Sequence, residues 1–170
     1  ALAGIAVGTV SLPVLSKAFK QKNISKITNI QNRSIELSLL LSIPASLGLI
    51  IASEQIVNAL FGYGSFTLEN IKMTASALKF FGYGVPAFAL IKILSNFFFA
   101  RNNTTTPFYI STFVVLLNIS LSVSFFNKLG FIIIPIATSI STWFGVIIYI
   151  YLLNTKNFLP RRALARKFKL

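Results

Sequence analysis

Among the 170 residues, the side chain best placed to do chemistry is Lys92, which lies inside the apolar run Thr74–Ala100, eight residues before its end. A lysine within an apolar helix costs at least about 2.5 kcal/mol to insert, and such residues usually face a bundle interior or a water-filled cavity. The chain has three acids, Glu36, Glu54 and Glu69, and the nearest approach comes from Glu36, read as sitting at the membrane edge. The counter-charge of Lys92 is therefore water, an anionic ligand, or sequence outside this chain. On an ideal helix Lys79, Gly82, Pro86, Ala89, Lys92 and Asn96 fall within an arc of roughly 140°. Phe80, Phe81, Phe88, Ile91, Leu94 and Phe98 fill the remainder, which suits lipid or apolar neighbours. Pro86 kinks that helix, and Lys79 is close enough to an interface to snorkel. The competing reading of Lys92 is likewise snorkelling, beside a structural partner.

Other chemistry is excluded by composition. There is no Cys and no His, and all three acids are Glu. Thiolate nucleophiles, disulfides, Cys- or His-ligated metals and imidazole bases are therefore impossible within this chain. Apolar residues make up 55% of the sequence and charged ones 11%, with a mean hydropathy of +0.77, whereas a soluble domain carries about 25% charged residues.

The elements that must position Lys92 are five apolar runs: Ala1–Ser16, Ile35–Ser53, Thr74–Ala100, Pro107–Phe126 and Gly130–Leu153. The last four are close to or longer than the roughly 20 residues a helix needs to cross a bilayer. They are apolar nearly all round, unlike the one-sided helices of a soluble bundle. Short connections carry the turn formers: the Asn-rich stretch 21–33, Gly62-Tyr63-Gly64-Ser65, Arg101-Asn102-Asn103, and Asn127 to Gly130. The reading is an all-α polytopic membrane bundle of about five transmembrane helices over 1–153, with 154–170 a basic cytoplasmic tail or a linker to a further helix. The only Met is Met73 and the chain opens inside an apolar run, so it reads as a piece of a longer protein.

The net charge of +13 sorts by helix parity. Loop 17–33, the loop 101–106 and the tail hold twelve of the sixteen Lys and Arg residues, all on one side if the five runs are crossed in turn. The positive-inside rule makes that side cytoplasmic. A nucleic-acid footprint would not follow helix parity, so nucleic acid is excluded as a partner. The cluster Arg161-Arg162 and Arg166-Lys167 reads as a topology determinant before a lipid-headgroup contact.

Small and polar residues line up on the other runs too: Gly4, Gly8 and Ser11; Ser38, Ser42 and Ala45; Ser111, Asn118 and Ser122; Thr138, Thr142, Gly145 and Tyr149. Seams of this kind serve ordinary close packing of membrane helices. The two Gly-Tyr-Gly triplets at 62–64 and 82–84 lack the preceding Thr-Val of a potassium filter, and read as a turn and a close-packing site.

A family resemblance follows from landmarks in order over residues 4–145. Gly8-Thr9-Val10-Ser11-Leu12-Pro13-Val14-Leu15-Ser16-Lys17, Ile43-Pro44-Ala45 and Leu60-Phe61-Gly62-Tyr63-Gly64-Ser65-Phe66-Thr67 come first. Gly84-Val85-Pro86, Lys92-Ile93-Leu94, Phe98-Phe99-Ala100-Arg101, Thr106-Pro107, Leu117-Asn118-Ile119 and Leu129-Gly130 complete the series. Together they resemble the second lobe of the MurJ/MviN lipid II flippases, from the end of the eighth helix to the twelfth. The resemblance implies the multidrug/oligosaccharidyl-lipid/polysaccharide exporter superfamily, with two helical lobes around a central cavity. It implies a bacterial inner-membrane transporter that moves lipid-linked peptidoglycan precursor to the periplasmic leaflet by alternating access. An ion gradient or the membrane potential would drive it, with no resident cofactor. Its partners would be a lipid-linked saccharide, the bilayer and the cell-wall synthesis machinery.

A pyrophosphate headgroup needs cationic or dipolar partners in a polar cavity. Lys92, Asn96, Asn118 and Lys79 are the candidates for that wall, with Pro86, Gly82 and Arg101 as structural or gating positions. The runner-up is a sister exporter of polysaccharide intermediates or cationic drugs. A membrane scaffold without a transport cavity is a third reading, and a membrane enzyme is the weakest given the missing catalytic side chains.

Overall fold

The structure, a computed structural model, describes residues 2–63 and 67–155, with side chains from Val7 onward. Among the described residues six α-helices follow one another: α1 (Leu2–Lys20), α2 (Ile24–Ile51), α3 (Ser53–Phe61), α4 (Leu68–Phe99), α5 (Thr105–Leu129) and α6 (Ile133–Thr155). A single turn of 3-10 helix, Gly130–Ile132, joins the last two. Five of the six are long and fall on the five apolar runs in order. α2 and α4 have the length and apolarity of bilayer crossings, as does Thr105–Thr155, whose 51 residues double back as α5 and α6. The architecture is that of an all-α polytopic membrane bundle.

Helix boundaries depart from the apolar runs where polar residues continue a helix. The stretch 21–33, expected as a connection, turns only at Gln21–Asn23, and α2 begins at Ile24. Lys22 takes a left-handed φ of 50° in that turn, and the Asn23 side chain caps α2 by accepting from the Lys26 amide at 3.0 Å. Asn, Ser and Lys lower hydropathy without breaking a helix, so the run of apolar residues understated its length. For the same reason α4 starts at Leu68, where the Thr67 hydroxyl accepts from the Asn70 amide at 3.3 Å. The connection 101–106 is shorter than expected, because α5 begins at Thr105.

Helix α3 is an addition. Its nine residues carry Glu54 in the first turn, favourable against the helix dipole. Val57 buries against Ile71 and Ala75 at the start of α4. Residues 64–66 and the tail from 156 onward, including most of the basic stretch 154–170, lie outside the described residues.

Helix α4 is the centre of the bundle. α1 and α2 pack on one side of it, α6 on the other, and α5 leans mainly on α6. The main core joins Leu15 and Ala18 of α1, Ile27 of α2, and Leu90, Ile93, Leu94, Phe97 and Phe98 of α4 to Val146, Tyr149 and Leu153 of α6. Within it, Phe98 and Tyr149 meet ring to ring at 5.7 Å. The buried face of α2 is polar, a row of Gln31, Ser34, Ser38, Ser42 and Ser46. Small side chains there let the helices approach closely.

Candidate functional site

The arc predicted on α4 is divided between helix contacts and two exposed margins. Its middle is covered. Gly82 lies against α2, where an added Cβ would stand 2.9 Å from Ile50 Cγ1 and 3.3 Å from Leu49 Cβ. Ala89 is buried, and Asn96, 3% exposed, donates its Nδ2 to the Gly8 carbonyl of α1 at 2.9 Å.

Pro86 sets the chemistry of this middle stretch. Lacking an N–H, it leaves the Gly82 carbonyl without its intrahelical donor. The Ser46 hydroxyl of α2 fills that place, donating to Gly82 O at 2.7 Å. Neighbouring hydroxyls of this kind are how membrane bundles tolerate proline inside a helix. Ser46 was missed by the sequence reading, which put Ala45 on this seam; Ala45 is exposed and Ser46 buried.

Only the margins of the arc are open. Lys79 and Lys92 are both exposed, but they lie on opposite flanks of α4, roughly 140° apart around the helix. Thirteen residues of helix separate them, or about 20 Å. Lys79 shares its flank with Tyr83, whose carbonyl accepts from Trp143 Nε1 of α6 at 3.1 Å. Lys92 shares the other flank with Phe99 and lies beside α1, its Cγ 3.4 Å from where a Cβ on Gly8 would be.

The contact between Ser46 and Gly82 also sets depth. Counting ten residues along each antiparallel helix from that crossing brings Lys92 level with Glu36. Glu36 is thus as deep as Lys92, a different reason for their separation from the one expected. The acid projects from the outer face of α2, about 160° around from buried Ser38.

Asn118 belongs to another seam. Its Nδ2 donates to Thr138 Oγ1 of α6 at 2.9 Å, and its Oδ1 accepts from Ser122 Oγ at 3.5 Å. The structure therefore joins Asn118 to α6 and Asn96 to α1, and does not gather the four candidates on one wall. Arg101 lies on the connection between α4 and α5, its guanidinium carbon 4.6 Å from the centre of the Phe19 ring. Burial pushes that guanidinium down to about 10, which leaves it protonated at neutral pH. It fastens the end of α4 to the end of α1.

Comparison with known proteins decides the family. Residues 1–169 match the family described as "Lipid II flippase MurJ". The chain belongs to the MurJ lipid II flippase family. It is 38% identical over 149 residues to the "Probable lipid II flippase MurJ" of Rickettsia prowazekii (strain Madrid E), covering 87% of this chain and 29% of that protein. With the protein of the same description from Rhizobium tropici, identity is 36% over 165 residues, covering 96% and 31%. The fold superposes on a solved MurJ structure, "Lipid II flippase MurJ, inward closed conformation", with a TM-score of 0.82 and 31% identity over 90% of this chain and 32% of that one. The chain thus spans about a third of the length of the MurJ relatives it matches. The family resemblance seen in the sequence landmarks is borne out.

Proposed function

We propose that this chain is the part of a lipid II flippase that offers Lys92 to the anionic headgroup of a lipid-linked saccharide, on the cytoplasmic part of its path across the bacterial inner membrane. The observation that carries this reading is the exposure of Lys92 beside Gly8, at the end of the uncharged stretch 80–91 of α4, in a MurJ family member. Exposed at a helix flank, its ammonium can meet a phosphate without breaking any helix contact, whereas Asn96 and Asn118 are spent on neighbouring helices. A charge-assisted hydrogen bond from lysine to phosphate is roughly twice as strong as a neutral one.

The membrane orientation follows from charge. Lys17, Lys20, Lys22, Lys26, Arg33 and Arg101 fall at one end of the bundle, and the positive-inside rule makes that end, with the tail, cytoplasmic. Headgroup capture at Lys92 is then an early step, near the leaflet where the substrate is made. The cell-wall synthesis machinery that makes and uses such a substrate is the corresponding partner class. Lys79 lies on the far flank and nearer the opposite end, so it serves as an interfacial anchor.

The test is lipid II flipping by the full-length protein in vesicles. Lys92→Ala should slow flipping by about tenfold, the loss of one phosphate contact, and Lys92→Arg should restore most of it. Unchanged flipping in Lys92→Ala at equal protein in the membrane would overturn the assignment.

A further inference from the structure

The α1–α2 hairpin carries a second feature, unrelated to the Lys92 flank. Between the two helices runs an apolar groove of about 440 Å³, walled by Val7, Val10, Val14, Ile30 and Leu37 and bordered by Arg33. Two small buried residues, Ser11 and Ser34, give it room. Val10 and Val14 remain 70% and 43% exposed along its wall. Arg33 also borders a hollow of about 490 Å³ on the outer face of α2, where Asn29, Asn32 and Glu36 adjoin Leu37 and Leu40. An apolar slot and a shelf of mixed polar and apolar side chains therefore meet at Arg33.

We propose that this hairpin binds an anionic glycerophospholipid of the cytoplasmic leaflet, with an acyl chain in the α1–α2 slot and its phosphate on Arg33. The slot needs an apolar occupant, and the shelf sets the hydrogen-bonding groups of Asn29, Asn32 and Arg33 beside Leu37 and Leu40; an amphiphile suits both at once. The charge is complementary. Lys17, Lys20, Lys22 and Lys26 are all exposed at the same end of the hairpin, and Glu36 is the one acid of the shelf. Arginine suits phosphate because its planar fork can donate two parallel hydrogen bonds. Depth agrees as well, since Arg33 lies one helical turn toward the cytoplasmic end from the level of Lys92 and Glu36. The slot opens away from the Lys92 flank: Val7, Val10 and Val14 lie some 100° to 160° around α1 from Gly8. The site is thus separate from the one proposed for the transported lipid, and its occupant is a resident of the leaflet.

The experiment is native mass spectrometry of the full-length protein with phosphatidylglycerol, and with phosphatidylcholine of the same acyl chains. Wild type should retain phosphatidylglycerol about fivefold over phosphatidylcholine, as one added surface charge contact predicts. Arg33→Gln should bring that ratio close to one, and Val10→Trp, which plugs the slot from an exposed position, should lower retention of phosphatidylglycerol itself. Lipid II flipping should stay at the wild-type rate in Arg33→Gln, which separates this site from the Lys92 reading. Equal retention of the two lipids by wild type would overturn the proposal. So would retention indifferent to both substitutions, which is the result expected if another segment of the protein covers the slot. Displacement of the lipid by excess inorganic phosphate would also overturn it, by reducing the site to a bare anion contact.

Discussion

Ser46 on α2 donates its hydroxyl across 2.7 Å to the Gly82 carbonyl on α4, the carbonyl that Pro86 deprives of an intrahelical donor. Serine and proline are thereby coupled across two helices. Ser46→Ala should cost about 1 kcal/mol of stability in the wild-type background. In a Pro86→Ala background, where a backbone amide regained at this position can reach the same carbonyl, the cost of Ser46→Ala should fall to near zero. A double-mutant cycle read by thermal or denaturant unfolding in detergent checks this; additive effects would mean that the carbonyl does not depend on the serine.

Gly8 and Asn96 make a second crossing. A Cβ on Gly8 would stand 2.9 Å from Asn96 Nδ2, the atom now bonded to the Gly8 carbonyl. Gly8→Ala should therefore push α1 from α4 and destabilise the protein by about 1–3 kcal/mol, as overpacking does. Asn96→Ala relieves that contact, so the pair should be less destabilised than the sum of its members. Unfolding midpoints of the three variants measure the difference.

Between α5 and α6, Asn118 and Thr138 form the side-chain pair at 2.9 Å. Interhelical hydrogen bonds in membranes average about 0.6 kcal/mol in double-mutant cycles. Asn118→Ala with Thr138→Val should show a coupling of that size in a stability cycle. A coupling indistinguishable from zero would mean that the pair is not formed in the bilayer.

Arg101 should act through Phe19. Its guanidinium over the ring, partly desolvated, should contribute about 0.5–1 kcal/mol that Phe19→Leu removes. The sign of its pH response is fixed: the folded state holds this proton less tightly than the unfolded chain does. Burial therefore imposes a constant penalty below about 10, and stability gains as pH rises from there toward the ordinary arginine value. From pH 6 to 8, unfolding midpoints of wild type and Arg101→Gln should differ by the same amount at every pH. A difference that changes across that window would contradict the assignment.

The long helices were legible because a bilayer requires runs of apolar residues, and five such runs stood out with turn formers between them. Their ends were less legible. Ser25, Lys26, Asn29 and Asn32 lowered hydropathy over a stretch that is helical all the same. α3 was hidden because nine residues with Ser, Glu, Gln and Asn among them resemble a connection. The site divides similarly. Lys92 announced itself as a charge in an apolar run, and the structure leaves it exposed. Asn96 and Asn118 have the same residue type, and sequence could not tell that each faces a different helix. Ser46 left a signal in Pro86, four residues after Gly82, but naming the donor required the register of α2 against α4.

Helix α5 has only Pro107 and Ile110 buried, and it rests mainly on α6. Apart from the Asn118 seam and Val114, which packs against Gly145 of α6, selection on this helix should act on how oily each position is, with little regard to its shape. Exchanges among Leu, Ile, Val and Phe along the outer face of α5 should drift freely between species, while Gly82 of α4 against α2 and Gly8 of α1 against α4 stay fixed. The bundle would then evolve at two speeds, slow along its axis and fast at its rim.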